Sequence, residues 1–425
     1  MGQDDIDENR HNIWPFLAFI HTISYLQKAL YLLEIIFVSD AILVSSKHIR
    51  RFCLKTFRKN PSALAIQGLP IFRSLVMILC SLVNLDLPAV EVKGLYQVEA
   101  LVQEAGLSDK VKLMRLGMQE VLVRVSGTPQ VLKHENIQAA LKKSDKYLQQ
   151  FSYQTREIKR GNGDTVDQLV LQMYFDPTLI NDLLRQARLP IWGHNRPNLL
   201  LWITIDDGQG RHIISATEES LLRQSIIDHA KLRGLPVLFP LMDLDDEVAL
   251  PIVEAWAMFK EPLQNASKRY QPEAILAGRL YQDANEQWTG RWQFIFNGQV
   301  QSFNTNAPDL TSYAESAIDY AADQLGSYYA VNTDTVDAGR VLFQVDGIHS
   351  LEAYAEVTAY LELLTSVSSV QTVAVEQDRL TLALMVEGEV EKLVEAIALD
   401  HRLIPRQKTD QTAAASKLYY RWYQR

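Results

Sequence analysis

Cysteine is almost absent from this chain of 425 residues. The two cysteines, Cys53 and Cys80, lie in the N-terminal part, and no cysteine occurs from Ser81 onward. Thiol nucleophiles, cysteine-ligated zinc and disulfides are therefore excluded from that remaining part. A body without cysteine is compatible with an oxidising compartment, but it does not by itself place the protein in one.

Sequence signatures of catalysis are missing as well. The chain contains no H-E-x-x-H zinc motif, no P-loop, no G-x-G-x-x-G dinucleotide fingerprint and no G-x-S-x-G nucleophile elbow. The EF-hand spacing of acidic residues is also absent, and the nine histidines are scattered along the chain. We therefore expect no cofactor, and we favour a protein that is not an enzyme.

Positive charge is scarce and unevenly distributed. The formal net charge is −9, and residues Met1–Arg73 carry a net charge of +3, so the remainder carries −12. Binding to nucleic acid phosphates requires clustered Lys and Arg side chains. We therefore expect no nucleic acid partner.

Residues 1–90 form an N-terminal extension with two apolar runs. The first run, Phe16–Val44, is interrupted by three charged residues. A basic stretch that ends at Arg73 separates it from the second run, Ser74–Val83. The order of residues here is that of a signal peptide. Charged residues come first, the apolar run follows, and a small residue stands at Ala89.

Two interpretations of this extension stay open. In one, translation begins near residues 69–77 and the second run is a cleaved signal. In the other, residues 16–44 and 74–83 insert into the inner membrane as a hairpin, with the basic stretch inside. Both interpretations export the rest of the chain. The alternative is a cytoplasmic protein in which the two runs are buried helices.

The segment 91–195 predicts a small α+β domain. After an initial strand, the apolar face of Lys110–Gly127 predicts one helix, and Asn136–Phe151 predicts a second. Two strands follow around a turn at Gly161–Asp164. Asp176 then precedes a proline and predicts the N-cap of a last helix.

The segment 196–332 predicts an α/β domain. Leu199–Ile205 is apolar at nearly every position, which is typical of a strand covered on both faces. A helix that ends at Gly234 and a strand over Leu235–Met242 follow. The dipeptide Asn297–Gly298 between alternating flanks predicts a β-hairpin.

The segment 333–405 predicts a βαββα sandwich, joined to the preceding part by the polar stretch Thr333–Asp337. Residues 406–425 lack an apolar period and carry a net charge of +4, which predicts a disordered tail. The expected fold class is thus α+β or α/β. Mixed sheets with packed helices form three small domains after the apolar N-terminal segment.

Acidic residues follow two predicted strands of the middle segment. Asp206 and Asp207 follow the first strand, and Asp243, Asp245 and Asp246 follow the second. If the strands are parallel, both groups lie at one edge of the sheet, where the sites of α/β proteins are found. Carboxylate oxygens there suit Mg²⁺ or Ca²⁺. The alternative, which we favour, is a polar turn and the solvated entry to a helix.

Several stretches form a distinctive set: LYQVEALV, LGMQEVLVRVSG, RPNLLLWITIDD, RGLPVLFPLMDLDD and AILAGRL…WTGRWQF…NG. On these stretches, Glu91–Pro405 resembles DUF2066, a family of exported gammaproteobacterial proteins of unknown function. The resemblance implies export and supplies no catalytic residues. In fold alone, the middle segment is similar to the N-terminal domain of the Tol-Pal translocation protein and to curli-channel subunits, where such domains mostly act in assembly or binding.

These observations predict a non-enzymatic exported protein that acts as an interaction or assembly module of the Gram-negative cell envelope. It would be periplasmic, or anchored in the inner membrane and facing the periplasm, with another envelope protein as its partner. Two alternatives stay open. One is a metal-dependent hydrolase that uses the acidic strand ends, and the other is a protein that binds a small ligand or peptidoglycan.

Overall fold

Three β-sheets organise the part of the chain that the computed structural model describes. That part comprises residues 92, 94–102, 107–159, 165–208, 210–283, 287–304, 309–332, 339–406 and 417–423. The sheets and the helices packed on them confirm the predicted α+β class with mixed sheets. The division of the chain into three independently folding domains stays a prediction.

The first sheet is antiparallel and has the order β1-β3-β2. Its strands are β1 (Gln97–Leu101), β2 (Leu148–Lys159) and β3 (Thr165–Phe175). Helix α1 (Leu107–Ser126) covers one face of this sheet with its buried apolar side chains. The helical period of apolar residues predicted α1, and the turn signal together with the pattern of the second long strand predicted β2 and β3.

The predicted helix over Asn136–Phe151 is only half correct. Helix α2 (Glu135–Leu141) ends early, and a 3-10 turn at Ser144–Tyr147 leads directly into β2. Tertiary pairing decides the outcome, because the residues after Tyr147 gain a full ladder with β3. The segment closes with α3 (Pro177–Gln186), and the Asp176 side chain caps it as predicted.

The second sheet is mixed and has the order β5-β4-β7-β8-β9, with β6 also paired to β4. The central strand β4 runs parallel to β6 and β7, whereas the outer strands are antiparallel. The strands are β4 (Leu199–Asp206), β5 (Arg211–Ile213), β6 (Val237–Leu238), β7 (Ala274–Gln282), β8 (Trp288–Phe296) and β9 (Gln299–Phe303).

Helices cover both faces of the second sheet, which explains the continuous apolar run of β4. Leu201 and Ile203 pack towards one layer, and Leu200 and Trp202 pack towards the other. Neighbouring strand residues point to opposite faces, so a sheet covered twice needs apolar residues throughout. The first layer is α4 (Leu221–Arg233) and α8 (Leu310–Tyr329), and the second is α5 (Leu244–Ala249), α6 (Ile252–Ala257) and α7 (Lys260–Ser267).

Two local predictions in this sheet had different outcomes. The hairpin turn is confirmed, since Asn297 and Gly298 adopt positive φ angles of 47° and 74° between β8 and β9. The predicted strand over Leu235–Met242 is too long, because only Val237 and Leu238 pair with β4.

The third sheet confirms the βαββα pattern and extends it. Its order is β11-β12-β10-β14-β13, and helices α9 and α10 pack on one face. The elements are β10 (Gly339–Asp346), α9 (Leu351–Glu362), β11 (Val367–Glu376), β12 (Arg379–Val386), α10 (Val390–Ala398), β13 (Leu403–Pro405) and β14 (Lys417–Trp422).

The prediction of a disordered tail is wrong for Lys417–Trp422. These residues form β14, which inserts between β10 and β13, parallel to the first and antiparallel to the second. The Tyr420 ring stacks on Phe343 with centroids 4.8 Å apart, and Trp422 is 6% exposed. This strand was missed because its six residues become a strand only when the two partner strands are in place.

Several predictions fall on residues outside the described part. These are the apolar runs 16–44 and 74–83, the turn at 161–164, the joint at 333–337 and the segment 407–416. Within the described ranges, no helix combines the length and the apolar character that crossing a membrane requires.

Candidate functional site

The first acidic group closes a tight turn. One Asp206 carboxylate oxygen accepts the backbone N–H of Gly208 at 3.3 Å, and the other accepts the Arg211 guanidinium at 3.1 Å. This turn joins β4 to β5, and Asp207 is exposed beside it. The arrangement matches the turn interpretation of the sequence.

The second acidic group is held by an arginine. The Asp243 side chain caps α5 by accepting the backbone N–H of Asp246, and both of its oxygens accept Arg269 N–H groups at 2.7 and 2.9 Å. These hydrogen bonds lower the pKa of Asp243 from 3.8 to about 2. Asp245 is exposed on the same helix.

Asp246 is fully buried and satisfied by protein donors. Its carboxylate accepts the Met242 backbone N–H at 2.9 Å, the Arg269 guanidinium at 3.1 Å and the Tyr270 hydroxyl. Burial and the bond to Asp246 raise the pKa of Tyr270 to about 12. The carboxylate therefore anchors α5 and the 3-10 turn that contains Tyr270.

The five candidate metal ligands thus form two separate groups, one at the turn after β4 and one at the start of α5. In the described part of the chain, no group of three or more His, Cys, Asp or Glu side chains is placed to hold a metal ion. The metal-dependent hydrolase stays a prediction to which the described residues assign no site.

A buried arginine joins the first sheet to the second. Arg196 is 0% exposed, and its guanidinium lies over the Trp192 ring at 4.1 Å. Burial, and then the positive charge of Arg124, lower the pKa of Arg196 to about 9. Its acceptors are five backbone carbonyl oxygens, those of Arg124, Trp192, Gly193, Arg233 and Gly234, at 2.7 to 3.1 Å.

Two more buried arginines belong to the same junction. The Arg124 side chain at the end of α1 donates to the carbonyl of Leu232 in α4, and it pairs with Glu120. Arg233 donates to the carbonyl of Gly127 at 3.1 Å. The predicted boundary at 195/196 runs through this junction, so the first and second sheets are joined across that boundary by three buried arginines.

Strand β2 is an edge of the first sheet, and its backbone direction can be deduced. Neighbouring strand residues direct their N–H and C=O groups to opposite sides. In β3, the N–H of Phe175 donates to Tyr96 and the C=O of Leu169 accepts from Val102, both at 2.9 Å. Odd-numbered residues of β3 therefore face β1, and even-numbered residues face β2.

This alternation assigns the backbone groups of β2. Its even-numbered residues from Gln150 to Arg156 are paired with even-numbered residues of β3, so they make the ladder hydrogen bonds. The backbone groups of the odd-numbered residues consequently point away from the sheet. These residues are Phe151, Tyr153, Thr155 and Glu157, and no backbone bond from them to a residue outside β3 occurs in the described ranges.

The other edge strands are short or irregular. β6 has two residues, β5 and β13 have three, and β1 and β9 have five; β13 also contains Pro405. β11 is longer, but its register with β12 shifts at two places. Short length, proline and bulges protect edges from further pairing. β2 keeps a regular register over Gln150–Lys159.

The side chains around the β2 edge are aromatic and basic. Phe151 and Tyr153 are 42% and 47% exposed, and the Lys110 ammonium lies 3.6 Å from the centre of the Phe151 ring. Residues 142–159 contain five Lys or Arg and two Asp or Glu, in a chain of net charge −9. Lysines just before β2 supply most of this excess, because Arg156 in the strand is paired with Glu99.

A polar groove lies between the β8–β9 hairpin, α8 and α10. Its volume is about 370 Å³. Phe296 and Tyr328 contribute aromatic surface, with ring centroids 4.9 Å apart at 84°. Four amide side chains also line it: Asn297, Gln299, Gln301 and Gln324.

Sequence reasoning missed both the β2 edge and this groove. The groove brings together residues of the β8–β9 hairpin, of the next helix α8 and of the distant helix α10, so no spacing in the sequence marks it. The β2 edge was hidden because Leu148–Lys159 is mostly polar, and a polar strand gives little alternation. The exposed aromatics Phe151 and Tyr153 at spacing two were the one available signal.

Comparison with family models gives a match that covers the first sheet. Residues 89–193 match the model of a family described as a domain of unknown function, DUF8605. The matched family is not DUF2066, and the resemblance of Glu91–Pro405 to DUF2066 stays a prediction. No curated protein matches the chain.

Two solved structures show a distant likeness. A competence or damage-inducible protein from Enterobacter asburiae is 12% identical, with a TM-score of 0.21, over 31% of this chain and 87% of its own. A competence-damaged protein (CinA) superfamily member from Enterobacter cloacae is 13% identical, with a TM-score of 0.21, over 35% of this chain and 88% of its own. At these TM-scores the likeness carries no argument.

Proposed function

We propose that this protein is a non-enzymatic, exported module of the cell envelope that binds an extended segment of a partner protein along the edge of β2. The observation that carries the proposal is the regular, outward-facing backbone of Phe151–Glu157. A partner strand would pair with these groups and extend the first sheet, which is a common way for domains to recognise peptides.

The surroundings of this edge define the chemistry of the partner. The exposed rings of Phe151 and Tyr153 favour apolar side chains at alternate positions of the added strand. The excess of Lys and Arg over residues 142–159 favours acidic side chains at its other positions. The partner segment would therefore be extended, with alternating apolar and acidic residues.

A single substitution in β2 tests this binding mode. The N–H of Thr155 points away from β3, so Thr155→Pro removes a donor that the sheet does not use and blocks an added strand. Thr155→Val keeps the N–H and serves as the matched control. Both variants should unfold within about 1 kcal/mol of the natural protein, because edge positions tolerate such changes.

The readout is crosslinking in intact cells. A photoreactive phenylalanine analogue replaces Tyr153, and its adducts in the envelope fraction are identified by mass spectrometry. We expect one defined protein adduct, retained with Thr155→Val and lost with Thr155→Pro. An adduct that survives Thr155→Pro would reject strand addition. The crosslinked segment should be extended and acidic-apolar.

Export is the second part of the proposal, and the apolar runs 16–44 and 74–83 support it. The family match begins at residue 89, next to the expected end of the signal-like stretch. A reporter that is active only outside the cytoplasm, fused after Arg425, should be active. Fusion after Pro405 would remove β14 and is unsuitable. Activity from a cytoplasmic reporter alone would contradict export.

A further inference from the structure

We infer that the groove between the β8–β9 hairpin, α8 and α10 binds a neutral saccharide. This inference does not depend on the edge of β2, since it rests on a different surface. Three features of the groove carry it: its charge, its unused hydrogen-bonding groups and its aromatic walls.

Charge in the groove is already neutralised. Lys392 is the charged side chain among the lining residues, and its ammonium donates to a Glu395 carboxylate oxygen at 3.0 Å and to the Tyr328 carbonyl at 2.6 Å. The Tyr328 hydroxyl donates to the other Glu395 oxygen at 2.6 Å. An anion would have to break this network, and a cation would meet no lining carboxylate. The groove therefore favours an uncharged ligand.

Hydrogen-bonding groups in the groove have spare capacity. The side chains of Gln299, Gln324 and Ser327 make no hydrogen bond to the residues that the structure describes. By contrast, Gln301 accepts the Tyr320 hydroxyl at 2.6 Å and is fixed in position. Each free amide offers both a donor and an acceptor. Such groups match sugar hydroxyls, which also donate and accept.

Aromatic rings complete the match to a sugar. Phe296 and Tyr328 meet edge to face, and Tyr328 meets Tyr329 at 4.9 Å. These contacts hold the walls before any ligand arrives. Sugar rings present C–H groups on their faces, and those groups pack against aromatic surface. A volume of about 370 Å³ lies in the lower range of ligand pockets and suits a short saccharide.

The test uses the full-length protein in a detergent without a sugar headgroup. Ligand-observed NMR measures binding of two neutral probes, triacetylchitotriose and maltotriose, and of two anionic probes, glucuronate and inorganic phosphate. The variant is Gln324→Ala. The control is Gln264→Ala, which removes a half-exposed, unbonded helical glutamine of α7 that does not line the groove.

We expect saturable binding of at least one neutral trisaccharide. Gln324→Ala should weaken it about tenfold, because one hydrogen bond is lost. Gln264→Ala should leave it unchanged. The inference is overturned if neither neutral probe binds, if an anionic probe binds in their place, or if Gln324→Ala has no effect. Thr155→Pro should leave sugar binding intact, so this inference and the proposed function fail separately.

A second arm distinguishes the source of the saccharide. The protein is sedimented with insoluble peptidoglycan. If the protein sediments with peptidoglycan and the trisaccharide prevents this, the glycan strands of the cell wall are the ligand. A protein that binds the soluble probe and stays in the supernatant takes a soluble sugar instead. Either result supports the site, provided that Gln324→Ala weakens binding of the soluble trisaccharide about tenfold.

Discussion

The guanidinium of Arg196 donates a hydrogen bond of 2.7 Å to the backbone carbonyl of Arg124, across a sequence distance of 72 residues. Arg124 lies near the end of α1, and Arg196 lies just before β4. The bond therefore joins the helix of the first sheet to the central strand of the second. The guanidinium is fully buried and has five carbonyl acceptors. Because it is planar, these hydrogen bonds fix the relative orientation of the segments that meet at the junction.

Replacement of Arg196 should destabilise the protein strongly. Arg196→Met fills a similar volume but leaves five buried carbonyls without their donor, so we expect the free energy of unfolding to fall by about 3–5 kcal/mol. Urea denaturation monitored by tryptophan fluorescence measures this loss. Arg211→Met, which removes the partly exposed pair with Asp206, is the control and should cost less than about 1 kcal/mol. Equal effects would contradict the role of Arg196.

The two acidic groups should differ in their contribution to stability. Asp206→Asn combined with Asp245→Asn should change the free energy of unfolding by less than about 1 kcal/mol, since both side chains reach solvent. Asp246→Ala should cost about 2–4 kcal/mol, because it leaves Arg269 and Tyr270 without a buried partner. Restored function of the double variant only with added divalent cation would instead support the hydrolase alternative.

Stability should depend on the charge of Asp243 at low pH. The Arg269 hydrogen bonds lower the pKa of Asp243 from 3.8 to about 2, so the folded state favours the carboxylate. This contribution is fully present above the unfolded pKa and is lost as pH falls through the folded one. The urea midpoints of the natural protein and Asp243→Asn should therefore converge between about pH 4 and pH 2. In an Arg269→Gln background, this convergence should disappear.

The C-terminal strand should be required for the third sheet to fold. A fragment of residues 333–425 contains β14 and should unfold cooperatively by circular dichroism. A fragment of residues 333–405 lacks Tyr420 and Trp422, which are 4% and 6% exposed, and leaves β10 unpaired on one side. That shorter fragment should show no cooperative transition. If both fragments melt alike, β14 is dispensable and the boundary at Pro405 is right.

Local rules were sufficient where a short stretch determines its own structure. The Asn297–Gly298 turn, the Asp176 cap and the buried strand β4 were all predicted, because each depends on the preferences of a few adjacent residues. The second half of the Asn136–Phe151 helix was wrong, because pairing with β3 outweighed weak helical preference.

The acidic candidate site also combines features that the sequence predicted with features that only tertiary contacts decide. The sequence placed acidic residues after two strands whose relative direction it left open, and in the structure β4 and β6 are parallel. It gave no indication that Arg211 would pair with Asp206. Nor did it indicate that Arg269, which is distant along the chain, would pair with Asp243. An ion pair between remote residues depends on how the helices pack, so residue type alone does not predict it.

The sequence by itself determined many of the helices, strands and turns, and it excluded thiol chemistry from Ser81 onward, because periodicity, capping residues and the scarcity of cysteine are local properties. Only the tertiary structure decided which edge of a sheet stays open, where β14 inserts and which amides surround one groove. These features depend on contacts between segments up to about a hundred residues apart. Such contacts stabilise the structure only when folding has brought the segments together.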